Sequence, residues 1–126
     1  MVVNIAVLAS GRGTNLQSII DNIENGYIRD ACIKVVISDV KDAYALERAK
    51  KHDIDTVFIN PSEFSNKSVY EKELIRKLED YNIDLVLLAG YMRILGNDFV
   101  KFYEHRILNI HPSLLPAFKG LKAQKQ

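Results

Sequence analysis

The sequence predicts an α/β protein built on a doubly wound, mostly parallel sheet of the Rossmann-like kind. Three observations predict it. Short apolar runs recur five times, segments of helical character fall between them, and several of the runs are nearly continuous rather than alternating, as in strands buried on both faces. A chain of 126 residues, 48% of them hydrophobic, is the size of one compact domain with one core, so residues 1–126 are expected to form a single domain.

The strands are expected at Val2 to Leu8, Ile33 to Ile37, Thr56 to Ile59, Leu85 to Ala89 and Arg106 to Ile110. The helices are expected at Asn15 to Glu24, Asp42 to Lys51, Ser68 to Glu79 and, shorter, near Asn97 to Tyr103. Thr14 with Gln17, and Ser68 with Glu71, have the spacing of capping boxes at the starts of the first and third helices. Right-handed crossovers between parallel strands then give the order 3-2-1-4-5. Ligands in such a sheet sit at the carboxyl ends of the strands beside the switch point, where the loops after strands 1, 4 and 5 meet.

Lys and Arg number 17 against 16 Asp and Glu, so no overall field draws the protein to nucleic acid or to an acidic membrane. Any anion must be held locally. The lone Cys32 excludes an internal disulfide framework, and Met1-Val2-Val3-Asn4 lacks the basic flank of a signal peptide. No apolar run approaches the roughly 20 residues of a membrane helix. A cytoplasmic protein is the expectation.

The loop after the first strand, Ser10-Gly11-Arg12-Gly13-Thr14-Asn15, opens a helix. Its glycines permit tight turns, and the helix start presents free N–H groups to an anion, which makes a phosphate cradle. The alternative is that Gly11 and Gly13 only reverse the chain and Thr14 only caps. Leu16 stands where a dinucleotide fingerprint has its third glycine, and no Gly-Lys-Ser/Thr follows, so neither a nicotinamide site nor a P-loop is indicated.

The stretch Asn109-Ile110-His111-Pro112-Ser113-Leu114-Leu115-Pro116 follows the fifth strand and is stiffened by two prolines. In extended backbone, residues two apart project to one side, so the Asn109 amide and the His111 imidazole can face one reacting atom. With an ordinary pKa of about 6.5, the imidazole exchanges protons near neutrality, and the amide can donate to an oxyanion. That pair suits acyl transfer, although a hydrogen-bonded structural pair fits the same spacing. Ser113 lacks the Gly-x-Ser-x-Gly elbow of a nucleophile, and no cluster has metal-ligand spacing. His52 and His105 read as surface residues. The loop after the fourth strand, Ala89 to Gly96, is too apolar for an ordinary solvated turn. It either walls a flat aromatic ligand or packs under the next helix.

Together the segments Ser10 to Gln17, Leu88 to Leu95 and Leu108 to Pro116 resemble the glycinamide ribonucleotide formyltransferases of purine biosynthesis, and the likeness spans nearly the whole chain. The third segment is also similar to methionyl-tRNA formyltransferases and formyltetrahydrofolate hydrolases. The Gly-Arg-Gly-Thr-Asn loop separates the first family from those two. The resemblance implies formyl transfer from 10-formyltetrahydrofolate to glycinamide ribonucleotide, with no metal needed because the formyl group is already activated.

By the same resemblance Gly11, Gly13, Thr14 and Asn15 hold the substrate phosphate, and Asn109 and His111 are the catalytic pair. Lys67, Met92, Arg93, Ile94, Leu95 and Asn109 contact the folate. Lys67 stands where the family commonly has arginine, keeping the charge but not the bidentate geometry.

Members of the family continue past this length, with further strands and an aspartate that raises the histidine's pKa. Lys122 stands where a histidine is expected, and Gln126 falls inside what should be another helix. The sequence therefore reads as an amino-terminal part with its carboxy-terminal part missing, weakly active or inactive alone, and open to self-association through an exposed sheet edge. A phosphate-binding fragment without catalysis is the non-enzymatic alternative.

Overall fold

The computed structural model describes residues 2–110. Five strands, β1 (Val3–Leu8), β2 (Ala31–Ser38), β3 (Asp55–Phe58), β4 (Leu85–Ala89) and β5 (Ile107–Ile110), form one sheet in the order β3-β2-β1-β4-β5. Every neighbouring pair is parallel. The predicted order holds, and each strand falls within two residues of its expected bounds.

The difference between central and edge strands is written in their side chains. The last four residues of β1 are buried, whereas β3 carries Asp55 and β5 carries Asn109 on exposed positions. A strand covered on both faces must be apolar throughout, and an edge strand need not be. One irregularity interrupts the ladder: Ile5 pairs with Ile33 but Ala6 pairs with Val35, so Lys34 is an extra residue in β2. That bulge leaves Lys34 exposed between two buried apolar neighbours.

Helices α1 (Thr14–Glu24) and α2 (Tyr44–Lys51) cover one face, packing Leu16, Ile19 and Leu46 on Val7 and Leu87. Helices α3 (Lys67–Asp80) and α4 (Asn97–Phe102) cover the other, where Leu74, Leu78 and Phe99 meet Leu8, Ile37 and Val86. A 3-10 turn over Pro61–Glu63 precedes α3 and is capped by the Asn60 side chain, which accepts from the Ser62 amide at 3.0 Å.

Both expected capping boxes are replaced by other devices. At α1 the cap is Gly13, with φ 78° and no side chain to offer, and Thr14 is the first helical residue. At α3 the cap is Asn66, whose side-chain oxygen accepts from the Val69 amide at 3.0 Å. Lys67 accordingly opens the helix instead of preceding it. Glu71 does not turn back to the helix start. Its buried carboxylate accepts from the Gly96 amide at 2.7 Å and so fixes the entrance to α4.

Three helices are followed by non-glycine residues in the left-handed region, Asp53, Asn82 and His105. Asn, Asp and His tolerate that conformation better than most, which lets the chain leave each helix directly into the next strand. His52 is half-buried instead of a free surface residue. Its Nδ1 lies 2.8 Å from Glu24 Oε2 and its Nε2 3.3 Å from Gln17 Nε2.

Candidate functional site

The loops after β1 and β4 meet at the carboxyl end of the sheet, beside the end of β5, because β1, β4 and β5 are adjacent and parallel. Specific bonds join them. The Ser10 amide donates to the Gly90 carbonyl at 3.2 Å, and the Met92 amide donates to Ser10 Oγ at 2.8 Å. From the first loop to the fifth strand, Asn15 Nδ2 donates to the Ile110 carbonyl at 3.4 Å.

The first loop presents free backbone amides at the start of a helix. The first intrahelical bond of α1 runs from the Gln17 amide to the Gly13 carbonyl, so the amides of Thr14, Asn15 and Leu16 precede the helical ladder. These are the groups a helix start offers to an anion. A Cβ on Gly11 would meet open space, so the backbone there is accessible. Gly13 is different: its φ is 78°, and a Cβ would lie 2.6 Å from Ala45 Cα. The turn is thus pressed against the start of α2. Arg48 holds it from that side, its Nε donating to the Arg12 carbonyl at 2.7 Å and its Nη1 to Gln17 Oε1 at 3.3 Å.

A cavity of about 620 Å³ opens beside the loop after β4. Lys67, Met92, Arg93, Ile94 and Leu95, which the family resemblance implies share one ligand, all line it. Met92 and Ile94 are 80% and 81% exposed, too much apolar surface for a loop that merely packs under the next helix. The rest of the lining includes Asp39, Phe64, Tyr70 and Glu71. Lys67 Nζ stands 4.0 Å from Glu71 Oε2, so the cavity's lysine is neutralised only loosely. The hydroxyls of Tyr70 and Tyr91 are hydrogen-bonded to each other. Burial raises the pKa of both, and the bond to Tyr70 raises that of Tyr91 further, so both are neutral at physiological pH.

Asn109 is on β5 opposite Leu88, with its side chain exposed. Strand alternation puts it on the sheet face of Ile107, the face of α3 and the cavity, but it is not among the residues lining the cavity. His111, Ser113 and Lys122 lie outside the described residues. A second, largely apolar hollow of about 350 Å³ lies on the α1 side, where Leu108 and Ile110 face Ile19 and Asn22.

Sequence reasoning missed the residues that tie these loops together. Asp39, just past β2, has a side chain only 4% exposed, accepts from Ser10 Oγ at 2.6 Å and pairs with Arg93 Nε at 3.0 Å. Its position directly after a strand, at the ligand-bearing edge, was the available signal. Arg48, bonded to the first loop, and Glu71, in the cavity lining, sit inside helices and carried none. Among the described residues no group of three or more His, Cys, Asp or Glu could hold a metal ion, and no helix is long and apolar enough to cross a membrane.

Known proteins are similar to this chain in sequence and fold. The phosphoribosylglycinamide formyltransferase of Escherichia coli strain K12 is 46% identical over 123 residues, which are 98% of this chain and 58% of that protein. A trifunctional purine biosynthetic protein, adenosine-3, of Drosophila pseudoobscura pseudoobscura is 45% identical over 97% of this chain and 9% of its own length. A crystal structure of glycinamide ribonucleotide transformylase 1 from Symbiobacterium toebii superposes with a TM-score of 0.84 at 46% identity, covering 99% of this chain and 58% of that one. The chain thus spans little more than half the length of the bacterial relatives it matches. The family model described as formyl transferase matches residues 3–126, and this chain belongs to that family.

Proposed function

We propose that the protein acts in the transfer of a formyl group from 10-formyltetrahydrofolate to the amine of glycinamide ribonucleotide, a step of purine biosynthesis in the cytoplasm. The observation that carries this reading is the Ser10–Met92 bond, which sets an anion cradle beside a cavity of folate-accommodating size and partly apolar lining. Gly11, Gly13, Thr14 and Asn15 would receive the ribonucleotide phosphate. Lys67 and the Met92 to Leu95 loop would receive the folate, and Asn109, on the same sheet face, would reach the formyl oxygen.

In this reaction the amine nitrogen attacks the formyl carbon, and the carbonyl electron pair moves onto oxygen. The Asn109 amide donates to that oxyanion. His111, protonated, stabilises the same charge and helps move a proton from the attacking nitrogen to the folate N10 as the bond from N10 to carbon breaks. The products are the formylated amine and tetrahydrofolate, with no net redox change. Self-association through β5, the last strand of the described sheet, belongs to the same proposal, since its Leu108 is half exposed.

The test follows formyl transfer by this chain alone and mixed with a polypeptide equivalent to the rest of the Escherichia coli relative, with solution mass recorded in parallel. Transfer to glycinamide ribonucleotide supports the reading. Formate release independent of that acceptor, or transfer only to an aminoacylated transfer RNA, overturns it, as does the absence of both ribonucleotide binding and turnover in the mixture.

A further inference from the structure

The buried carboxylate of Asp39 joins two loops that come from different strands. Its Oδ1 accepts from Ser10 Oγ at 2.6 Å and its Oδ2 accepts from Arg93 Nε at 3.0 Å. Only one polarity satisfies this arrangement. A carboxylate cannot donate, so the Ser10 hydroxyl spends its proton on Asp39, and its lone pair is then free to accept from the Met92 amide at 2.8 Å. Ser10 heads the phosphate loop, whereas Met92 and Arg93 belong to the cavity wall.

The sheet itself does not depend on this side chain. Backbone bonds from Ala9 to the Ile37 carbonyl and from Ser10 to the Gly90 carbonyl hold the strand ends in register without it. What the carboxylate adds is the placement of the two loops beyond those ends.

We propose that Asp39 is a positioning residue, setting the phosphate loop and the cavity wall in one frame through Ser10 and Arg93. The proposal rests on the reading of those two loops as ligand sites given above. Asp39→Asn preserves size but offers one oxygen where two are used. Its amide N–H₂ must face either the Ser10 hydroxyl, which then loses its acceptor, or the Arg93 guanidinium, donor against donor.

The experiment combines amide hydrogen exchange with titration of inorganic phosphate for the loop and 5-formyltetrahydrofolate for the cavity. In Asp39→Asn, exchange should quicken about tenfold or more in both residues 11–15 and residues 91–95, while the strand amides of Val7 and Val36 keep their protection. Both probes should bind about tenfold more weakly. Arg93→Ala should weaken the folate and spare phosphate, a split that general destabilisation would not produce. Ser10→Ala cuts the same link from the other side and should reproduce the two-loop pattern even where Asp39→Asn folds poorly.

Faster exchange in one loop only, uniform loss of protection reaching Val7 and Val36, or unchanged affinity for both probes would overturn the assignment. Failure of the unmodified chain to bind either probe counts against the functional reading instead, and the exchange pattern still decides the role of Asp39.

Discussion

Gly13 is pressed against Ala45 so closely that a Cβ on it would lie 2.6 Å from Ala45 Cα. The contact seats the start of α1 on the start of α2, and the Ala45 amide seals it by donating to the Gly11 carbonyl at 3.1 Å. Gly13→Ala therefore meets two penalties, the left-handed φ of 78° and overlap with backbone that cannot rotate away. Together they should cost about 2–4 kcal/mol in chemical denaturation. Gly11→Ala meets neither and should keep stability within about 0.5 kcal/mol of the unmodified chain. Any phosphate affinity it loses then reports obstruction of the cradle.

The Glu71 carboxylate and the Gly96 amide form one contact that can be broken from either side. Glu71→Ala leaves a donor unpaired, and Gly96→Ala places a Cβ 2.9 Å from Glu71 Oε1. Each should destabilise by about 1–3 kcal/mol. The double variant should lose clearly less than the sum, since removing the carboxylate also removes the clash. Additive losses in a urea-denaturation cycle would show that the two residues act independently.

Tyr70 and Tyr91 give the fold an alkaline limit. Both have pKa values raised above 10.0, chiefly by burial, so the folded protein keeps these protons at pH values where the unfolded chain has released them. Their contribution is fully present below pH 10 and is lost as pH rises above it. Denaturation midpoints should fall steadily beyond that point, and ultraviolet titration should show the Tyr70 and Tyr91 phenols ionising at higher pH than a free tyrosine. Tyr91→Phe should blunt the alkaline loss while costing about 1 kcal/mol near neutrality through the missing bond to Tyr70.

On the proposed mechanism, in a preparation that turns over, His111→Ala should depress kcat by about two to four orders of magnitude. Phosphate affinity should stay nearly unchanged, because the cradle is built from other residues. Asn109→Ala should lose about two orders through the oxyanion alone. Steady-state kinetics with parallel phosphate titration checks both, and near-normal turnover of either variant would remove that residue from the mechanism.

The sequence by itself determined the strand and helix order and the sheet topology, whereas the grouping of Lys67 with Met92 to Leu95 came from the family resemblance. Apolar runs of strand length separated by helical segments leave few ways to bury both faces of a parallel sheet, and the topology follows from that burial. The capping boxes were misread because spacing alone cannot distinguish a helix's cap from its first turn. A glycine against Ala45 and an asparagine already occupied those roles, which freed Glu71 to bind Gly96, 25 residues away. Asp39, Ser10 and Arg93 are likewise invisible as a set in one dimension, since they stand 29 and 54 residues apart and periodicity does not encode hydrogen bonds between loops. Only the tertiary structure brought them together, because a buried carboxylate is stable only where the fold supplies donors to both of its oxygens.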